Sequence, residues 1–551
     1  MPGLIVGPML RYVSETEATV FVETDAACDA EVLGARASTF AVEGHHYALV
    51  QIEGLEPGST IPYELHLDGD KVWPPPDYEF PAPAIRTFGG ENEKIEVAFG
   101  SCRVALPHQP PYTLNKDDDD RGREFDALYV LAREMLGKSP EDWPDLLLML
   151  GDQVYVDEGS IEARKKIRER RDTSEQPGEE VADFEEYTWL YHESWRDPLI
   201  RWLFSTVSSS MIIDDHDVHD DWNISRAWVE EMRGLEWWDD RITGAFMSYW
   251  VYQHIGNLSP QELADSKMFA EVAGADDAGR LLRDYAERSD RQDAGTRWSF
   301  YRDLGRTRLI VMDSRAGRVL EEDRRSIFDD HEWEWITEHT RGDFDHLLIG
   351  TSDPFLMTKG FHYLEAWNEQ VADGVWGAGA AKLAERMRRS VDFDHWPSFK
   401  RSFAELTELL REVGAGKRGT APASIVVLSG DVHHAYLAEA AFRRSDRVRS
   451  AVWQAVVSPM RNSLDRHERL AVRASGTALG GAVARLLARS AGVHDPDLRW
   501  RLREGAHFDN QIGTLIIEGR RAAMKLEKTN PTDEQDERRL ETTFEHGLTP
   551  R

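Results

Sequence analysis

The chain has 551 residues, 41% of them hydrophobic, with 66 Lys and Arg against 99 Asp and Glu and a formal net charge of −33. That length supports two or more domains and a large core. The charge argues against a nucleic-acid or anionic-membrane partner held by bulk electrostatics. An anionic substrate would approach against repulsion unless cations sit in its site. Cys28 and Cys102 are the only cysteines, so there is no disulfide framework. No n-region and h-region precede the first strand-like segment, and the chain reads as cytoplasmic. The longest bland stretch, Ser475 to Ser490, is broken by Arg485 and Arg489, so no membrane span is expected.

In chain order, residues 1–75 alternate in strand fashion, as in Ala18-Thr-Val-Phe-Val-Glu and Tyr47-Ala-Leu-Val-Gln-Ile. Leu55-Glu-Pro-Gly leading to Tyr63 resembles the corner before a late strand of fibronectin type III domains, where a tyrosine fastens a β-sandwich. Residues 76–94 belong to a linker, in a proline-rich stretch with a Gly-Gly. From Ile95 to the end, buried strands alternate with long helical stretches, the pattern of a layered α/β domain. Strands are expected at Ile95–Phe99, Leu146–Leu150, Met211–Ile213, Thr307–Met312, His346–Ile349, Ile425–Leu428, Gly513–Glu518 and Ala522–Leu526. Charged, helix-prone insertions fall at roughly 159–205, 226–295 and 462–505. The acidic run Asp117 to Asp120 reads as a solvated loop.

Polar residues fall where the strands stop. Ile95-Glu-Val-Ala-Phe-Gly-Ser ends in Cys102 and Arg103. Leu146-Leu-Leu-Met-Leu-Gly ends in Asp152 and Tyr155. Met211-Ile-Ile ends in Asp214, Asp215, His216 and Asp217, with His219, Asp220, Asp221 and Asn223 behind. Ile425-Val-Val-Leu-Ser-Gly ends in Asp431, His433 and His434. Ligands of open α/β sheets bind at such carboxyl ends. One acid after a strand is commonplace, but four strand ends with the same grammar describe a site. Its oxygen and nitrogen donors with at most one sulfur exclude a Cys₄-type structural zinc. They suit ferric iron, calcium, magnesium or manganese, with histidine also admitting zinc. Two close cations would clamp both oxygens of a phosphoryl transfer, supply a hydroxide at moderate pH, and let a phosphate enter an acidic protein.

Gly-Asp-Gln-Val-Tyr is similar to the Gly-Asp-x-x-Tyr motif of purple acid phosphatases and calcineurin-like metallophosphoesterases. The series Phe-Gly-Ser-Cys, Gly-Asp-x-x-Tyr, Asp-Asp-His-Asp and Ser-Gly-Asp-Val-His resembles the PhoD-like alkaline phosphatase family, as do Phe300-Tyr-Arg-Asp-Leu-Gly to Asp313-Ser-Arg315 and Ile349-Gly-Thr-Ser-Asp-Pro. The resemblance implies a layered αββα metallophosphoesterase domain over 95–551, preceded by a fibronectin III-like β-sandwich. It also implies a ferric ion held by Cys102, Asp152 and Tyr155, with Asp152 bridging to one or two calcium ions. Asp215 and Asp431 are then shared ligands and His433 completes a coordinating position. His216 takes the place of a histidine beside the leaving group. Arg103 is a candidate for holding a phosphate oxygen, against the alternative of a surface arginine. The family motif usually continues into paired asparagines, where this chain has Asp220-Asp221 and then Asn223.

Four weaker readings remain. Asp394-His395-Trp396 reads as a solvated helix face, although the family has an acid and an aromatic lining the site there. Asp353 is a hydrogen-bond partner to the ligands, His434 either a second ligand or a packed neighbour of His433, and Cys28 a small buried hydrophobe of the sandwich. The expected activity is metal-dependent hydrolysis of phosphomonoesters or phosphodiesters by a metal-activated hydroxide. The alternatives are a phosphodiesterase or phospholipase D-like hydrolase, and a catalytically silent binding protein.

Overall fold

The computed structural model describes residues 2–90, 94–291, 296–321, 324–530 and 538–550. Residues 91–93 of the expected linker and 292–295 of the second expected insertion lie outside the described residues.

Two sheets form the N-terminal part. One is ordered Leu4–Val13, Glu17–Thr24, His45–Glu53, Phe40–Val42, and the other Ala35–Ser38, Asp29–Val32, Leu65–Leu67, Asp70–Trp73. Their alternating inward residues, among them Val20, Val22, Val50, Val32 and Leu67, are fully buried, as sandwich packing requires. Tyr63 is buried too, but its hydroxyl donates to the Ser205 carbonyl at 2.7 Å, outside the sandwich. Within the stretch read as a linker, Ala84–Arg86 forms a short strand antiparallel to Thr60–Pro62.

The remainder builds two large sheets. The six-stranded one runs Ser208–Ile212, Leu146–Leu150, Lys94–Gly100, Gln511–Glu518, Arg521–Thr529, Leu540–Gly547; the first three strands are parallel. The seven-stranded one runs Phe300–Leu304, Thr307–Val311, His346–Gly350, Ser424–Ser429, Ala451–Val456, Ala435–Ala441, Arg499–His507, with the second to fifth parallel. Period-2 alternation splits the buried strands between two layers. Leu348, Val426 and Leu428 join the core shared with Leu148 and Phe99 of the first sheet. Leu347, Ile349, Ile425 and Val427 face the other way, onto Phe403, Leu406 and Leu410 of helix Lys400–Ala415. The first sheet is backed by helices Ala127–Met135 and Pro198–Thr206 and by strand Leu4–Val13 of the sandwich. The result is a mixed α/β protein: helices outside, two sheets face to face, and a β-sandwich welded to one flank.

The weld is polar and buried. Arg11 donates to the carbonyls of Gln253 (2.6 Å) and Tyr252 (3.3 Å), while its own carbonyl accepts from Ser208 Oγ and Arg302. Glu23 of the sandwich accepts from His192 and Tyr252, both at 2.9 Å, and lies 3.2 Å from His45.

In the two large sheets, five described strands depart from expectation. Phe300–Leu304, Ala435–Ala441, Ala451–Val456 and Leu540–Gly547 were not anticipated, and Arg499–His507, assigned to a helical insertion, is an edge strand paired with Ala435–Ala441. Helices do occupy the remaining insertions, including Ile161–Arg170, Phe184–Trp195, Trp238–Ser248, Arg466–Ser475 and Ala478–Ser490.

Candidate active site

The parallel strands of both sheets end on the same side, and tight backbone approaches bring those ends together. Gly151 has φ +109°, and a Cβ there would lie 2.5 Å from Cβ of Asp214. A Cβ on Gly430 would meet Ser101 Oγ, which accepts the Asp431 amide at 2.9 Å. Six side-chain-bearing residues of the cluster, Cys102, Asp152, Asp221, Asn223, Asp431 and His433, hold φ between 51° and 65°. Such left-handed backbone costs of order 1–3 kcal/mol per residue and persists only where surrounding contacts enforce it. Asp217 is one enforcer: its carboxylate accepts the amides of Asp152, Gln153, Val154 and Asp214 at 3.0–3.1 Å. It organises two strand ends and faces no open space.

Among the described residues, potential ligand atoms gather in three groups, each within a 4.8 Å span: Cys102, Asp152 and His433; Asp152, Asp215 and His216; Asp214, Asp353 and Asp431. Asp152 belongs to two of them. Tyr155 donates to Asp152 Oδ2 at 3.1 Å, and its ring stacks on His216 with centroids 4.5 Å apart. Cys102 Sγ, fully buried, lies 3.0 Å from Ser458 Oγ and 3.1 Å from Ser101 Oγ. Burial, with Asp152 and Asp431 adding repulsion, pushes this thiol well above its usual range. Burial likewise raises the Asp152 carboxyl, and Asp215, Asp217 and Asp431 raise it further.

Arg315 sits in the middle of the acids. Its Nε donates to Asp214 at 2.5 Å, and one terminal nitrogen lies 3.0 Å from Asp353, 3.3 Å from Asp431 and 3.6 Å from Asp215. The other is bonded to Asp394, which also binds Arg318 at 2.9 Å. Sequence reasoning did not assign Arg315 a role, although it follows the strand Thr307–Val311 in the same grammar as the others.

The expectation for Asp394-His395-Trp396 is overturned: all three are buried, not a solvated face. His395 bridges Asp431 (Nε2, 2.9 Å) and Glu365 (Nδ1, 2.9 Å). Burial works to raise Asp431, but His395 and Arg315 outweigh it and hold the carboxyl below its ordinary range. Asp353 contacts Arg315 and Arg318 and itself belongs to the third group of potential ligand atoms, with Asp214 and Asp431. His434 bonds the Val432 carbonyl at 2.7 Å and stacks on Tyr436, making it a packed neighbour.

His216 presents Nδ1 to Asp157 at 3.1 Å and Nε2 at 3.7 Å from Asp220. Burial opposes its charge, yet Asp157, Asp215 and Asp152 lift the imidazole well above its ordinary pKa. Arg103 is placed elsewhere: it is buried in an ion pair with Asp126 at 2.8 Å and donates to Ser194. Asp221 is pushed to about 10 by burial, then by Asp392 and Asp394; Asp220 rises to about 6 through burial, then Asp215 and Asp157. Asn223 turns its amide to the Arg315 carbonyl. Cys28 is half-buried beside the sandwich core.

The donor set fits cations. Asp152 Oδ1 and Asp214 Oδ2 are buried without a hydrogen-bond partner, which in a native interior calls for an ion or water. Burial and mutual repulsion raise several of these carboxyls, a penalty that positive charge would remove. Carboxylates, a phenol, imidazole and one thiol form a hard-to-borderline site.

Two stacked sheets between helical layers, with acids and histidines at converging strand ends, define a layered α/β domain with a candidate metal centre. The chain matches the PhoD-like phosphatase family over residues 124–487 and belongs to that family. Residues 1–85 match a domain of unknown function, DUF7800. No curated protein matches the chain. Among solved structures, one described as the structure of PhoD is similar with TM-score 0.60 at 11% identity, covering 99% of this chain and 90% of that one. A dimetal phosphatase from Danio rerio aligns with TM-score 0.32 at 10% identity, covering 83% of this chain and 98% of that one, too loosely to argue from.

Proposed function

We propose that the protein is a metal-dependent phosphoesterase, alkaline phosphatase-like, hydrolysing phosphomonoesters or phosphodiesters. The observation that carries this reading is the position of Asp152, shared between two ligand groups with one buried oxygen unpartnered. Cys102, Asp152, Tyr155 and His433 would hold a ferric ion; Asp152, Asp215 and Asp431 would hold one or two calcium ions, or another divalent cation. Such ions supply an activated water nucleophile and neutralise charge developing on phosphorus. The chain's own residues do the rest. His216, fixed by Asp157 at Nδ1, keeps Nε2 to give a proton to the leaving oxygen. Glu365 orients His395, which orients Asp431. Arg315 restrains the remaining carboxylates in one arrangement, so little reorganisation is needed as charge builds.

The test is Asp152→Asn, which keeps size and removes the shared charge. Metal content and hydrolysis of aryl phosphates should collapse together while circular dichroism is retained. A variant with full metal content and near-normal turnover would refute the shared position. A panel of aryl mono- and diesters on the parent protein then separates the two substrate classes.

A further inference from the structure

Apolar exposure in this molecule is concentrated in one place. Of the twelve large apolar side chains exposed among the described residues, four lie between 375 and 391 and four between 470 and 486. These stretches are neighbours. Helix Lys359–Ala372 packs against both Ala378–Ser390 and Ala478–Ser490, and Trp376 Nε1 donates to the Ser490 carbonyl at 3.4 Å. On Ala478–Ser490 the exposed residues Leu479, Val483 and Leu486 recur at i, i+4 and i+7, while Gly481, Ala484 and Ala488 are buried. That is an amphipathic helix with an apolar stripe turned to water. Clustered exposure of this kind marks an interaction site, whereas scattered exposed leucines are ordinary.

The same region is basic in an acidic chain. Residues 466–490 carry five arginines against Glu468, and Ala378–Ser390 carries Lys382, Arg386, Arg388 and Arg389 against Glu385, with Arg389 paired to Glu231 and Arg466 to Asp117. Beside the stripe runs a groove of about 1090 Å³ whose wall includes Lys359, Arg443, Arg485 and Arg499. Its two acids are already held, Asp495 by Arg485 and Arg489 and Asp497 by Arg443. Lys359 Nζ lies over the Trp500 ring, 3.2 Å from its centroid.

We propose that this face docks the protein on an anionic lipid surface. The Leu479–Leu486 stripe enters the headgroup–acyl boundary, and the arginines and the groove face the headgroups. An apolar stripe bordered by arginines is the composition that such interfacial helices require. The net charge of −33 does not prevent it, since distant acids are screened beyond a Debye length of about 8 Å and the patch is locally positive. A second copy is a poorer occupant, because a two-fold contact would set one basic face against another. No helix among the described residues is long and apolar enough to cross a membrane, so the attachment is peripheral. Helix Lys359–Ala372 also carries Glu365, the partner of His395, so a single helix separates the docking face from the acidic cluster.

The full chain is sedimented with vesicles of phosphatidylcholine alone and of phosphatidylcholine mixed with phosphatidylglycerol. It should sediment with the mixed vesicles only, and less as salt is raised. Leu479→Ser, Val483→Ser and Leu486→Ser combined should lose about tenfold or more in partitioning. Lys382→Glu with Arg473→Glu should lose a similar factor. All five side chains are exposed, so circular dichroism and turnover of a soluble aryl phosphate should match the parent, which separates this proposal from the fate of the hydrolytic reading. Equal sedimentation with both vesicle types, none with either, or variants that sediment like the parent would overturn it. So would a dimer that the serine variant dissociates in the absence of vesicle binding.

Discussion

At the scale of single residues, Tyr155 and His216 make separable statements about the site. Tyr155 is buried, raised well above its usual range by burial and then by Asp152 and Cys102, and bonded to Asp152. A buried phenol in that state ionises only against a cation. If the cation is ferric, the purified protein absorbs in the visible, and Tyr155→Phe shifts or bleaches the band while the fold stays intact. A colourless parent that is fully active with zinc or manganese alone would remove iron from the reading. His216→Ala should lower turnover by about 10²–10⁴-fold, the range of general acid–base catalysis. Esters with good leaving groups should lose less, since they need no proton; equal losses across a leaving-group series would assign His216 to metal binding instead.

At the scale of elements, the strand ends were legible and what supports them was not. Cys102, Asp152, Asp215 and Asp431 announce themselves because each follows a run of apolar residues within a few positions. Glu365 lies inside helix Lys359–Ala372, where an acid reads as part of a charged face and carries no local signal; His395 lies in a loop beyond Ala378–Ser390, where only the family resemblance pointed to the site and the charged surroundings argued against it. Strand Ala435–Ala441, Ala-Tyr-Leu-Ala-Glu-Ala-Ala, escaped notice because alanine has poor β-propensity and only its neighbours on both sides make it a strand. Arg499–His507 looked like a charged helix because it is an edge strand with arginines at 499, 501 and 503, a familiar protection against edge pairing. The turn at Gly151 is where strand and site are joined. Gly151→Ala would combine a disfavoured φ with a contact against Asp214. The expected cost is about 1–3 kcal/mol of stability, read as a lower denaturation midpoint, with a larger proportional loss of metal content than of fold.

At the scale of the whole molecule, the sandwich and the catalytic layers share a titrating contact. His45 lies 2.8 Å from Glu185 of helix Phe184–Trp195 and 3.2 Å from Glu23. Burial opposes its charge, but the hydrogen bonds to Glu185 and Glu23 lift its pKa from 6.5 to about 9. A histidine raised in the folded state stabilises fully below its unfolded pKa, and that contribution is lost as pH climbs through about 9. Allowing for screening by solvent, the effect is roughly 1–2 kcal/mol. Thermal melts between about pH 6 and about pH 9.5 should show a fall that His45→Gln abolishes; an unchanged pH dependence in that variant would place the loss elsewhere.

The six-stranded sheet has one more consequence, and it concerns synthesis. Strand Lys94–Gly100, which delivers Cys102, lies between Leu146–Leu150 and Gln511–Glu518. Its second neighbour is translated roughly four hundred residues later, about 20–80 s at ordinary elongation rates. For that interval the nascent chain exposes an unpaired apolar strand edge beside the future site, a surface open to wrong pairing. Strands made about four hundred residues later therefore close the sheet from which the first part of the site projects.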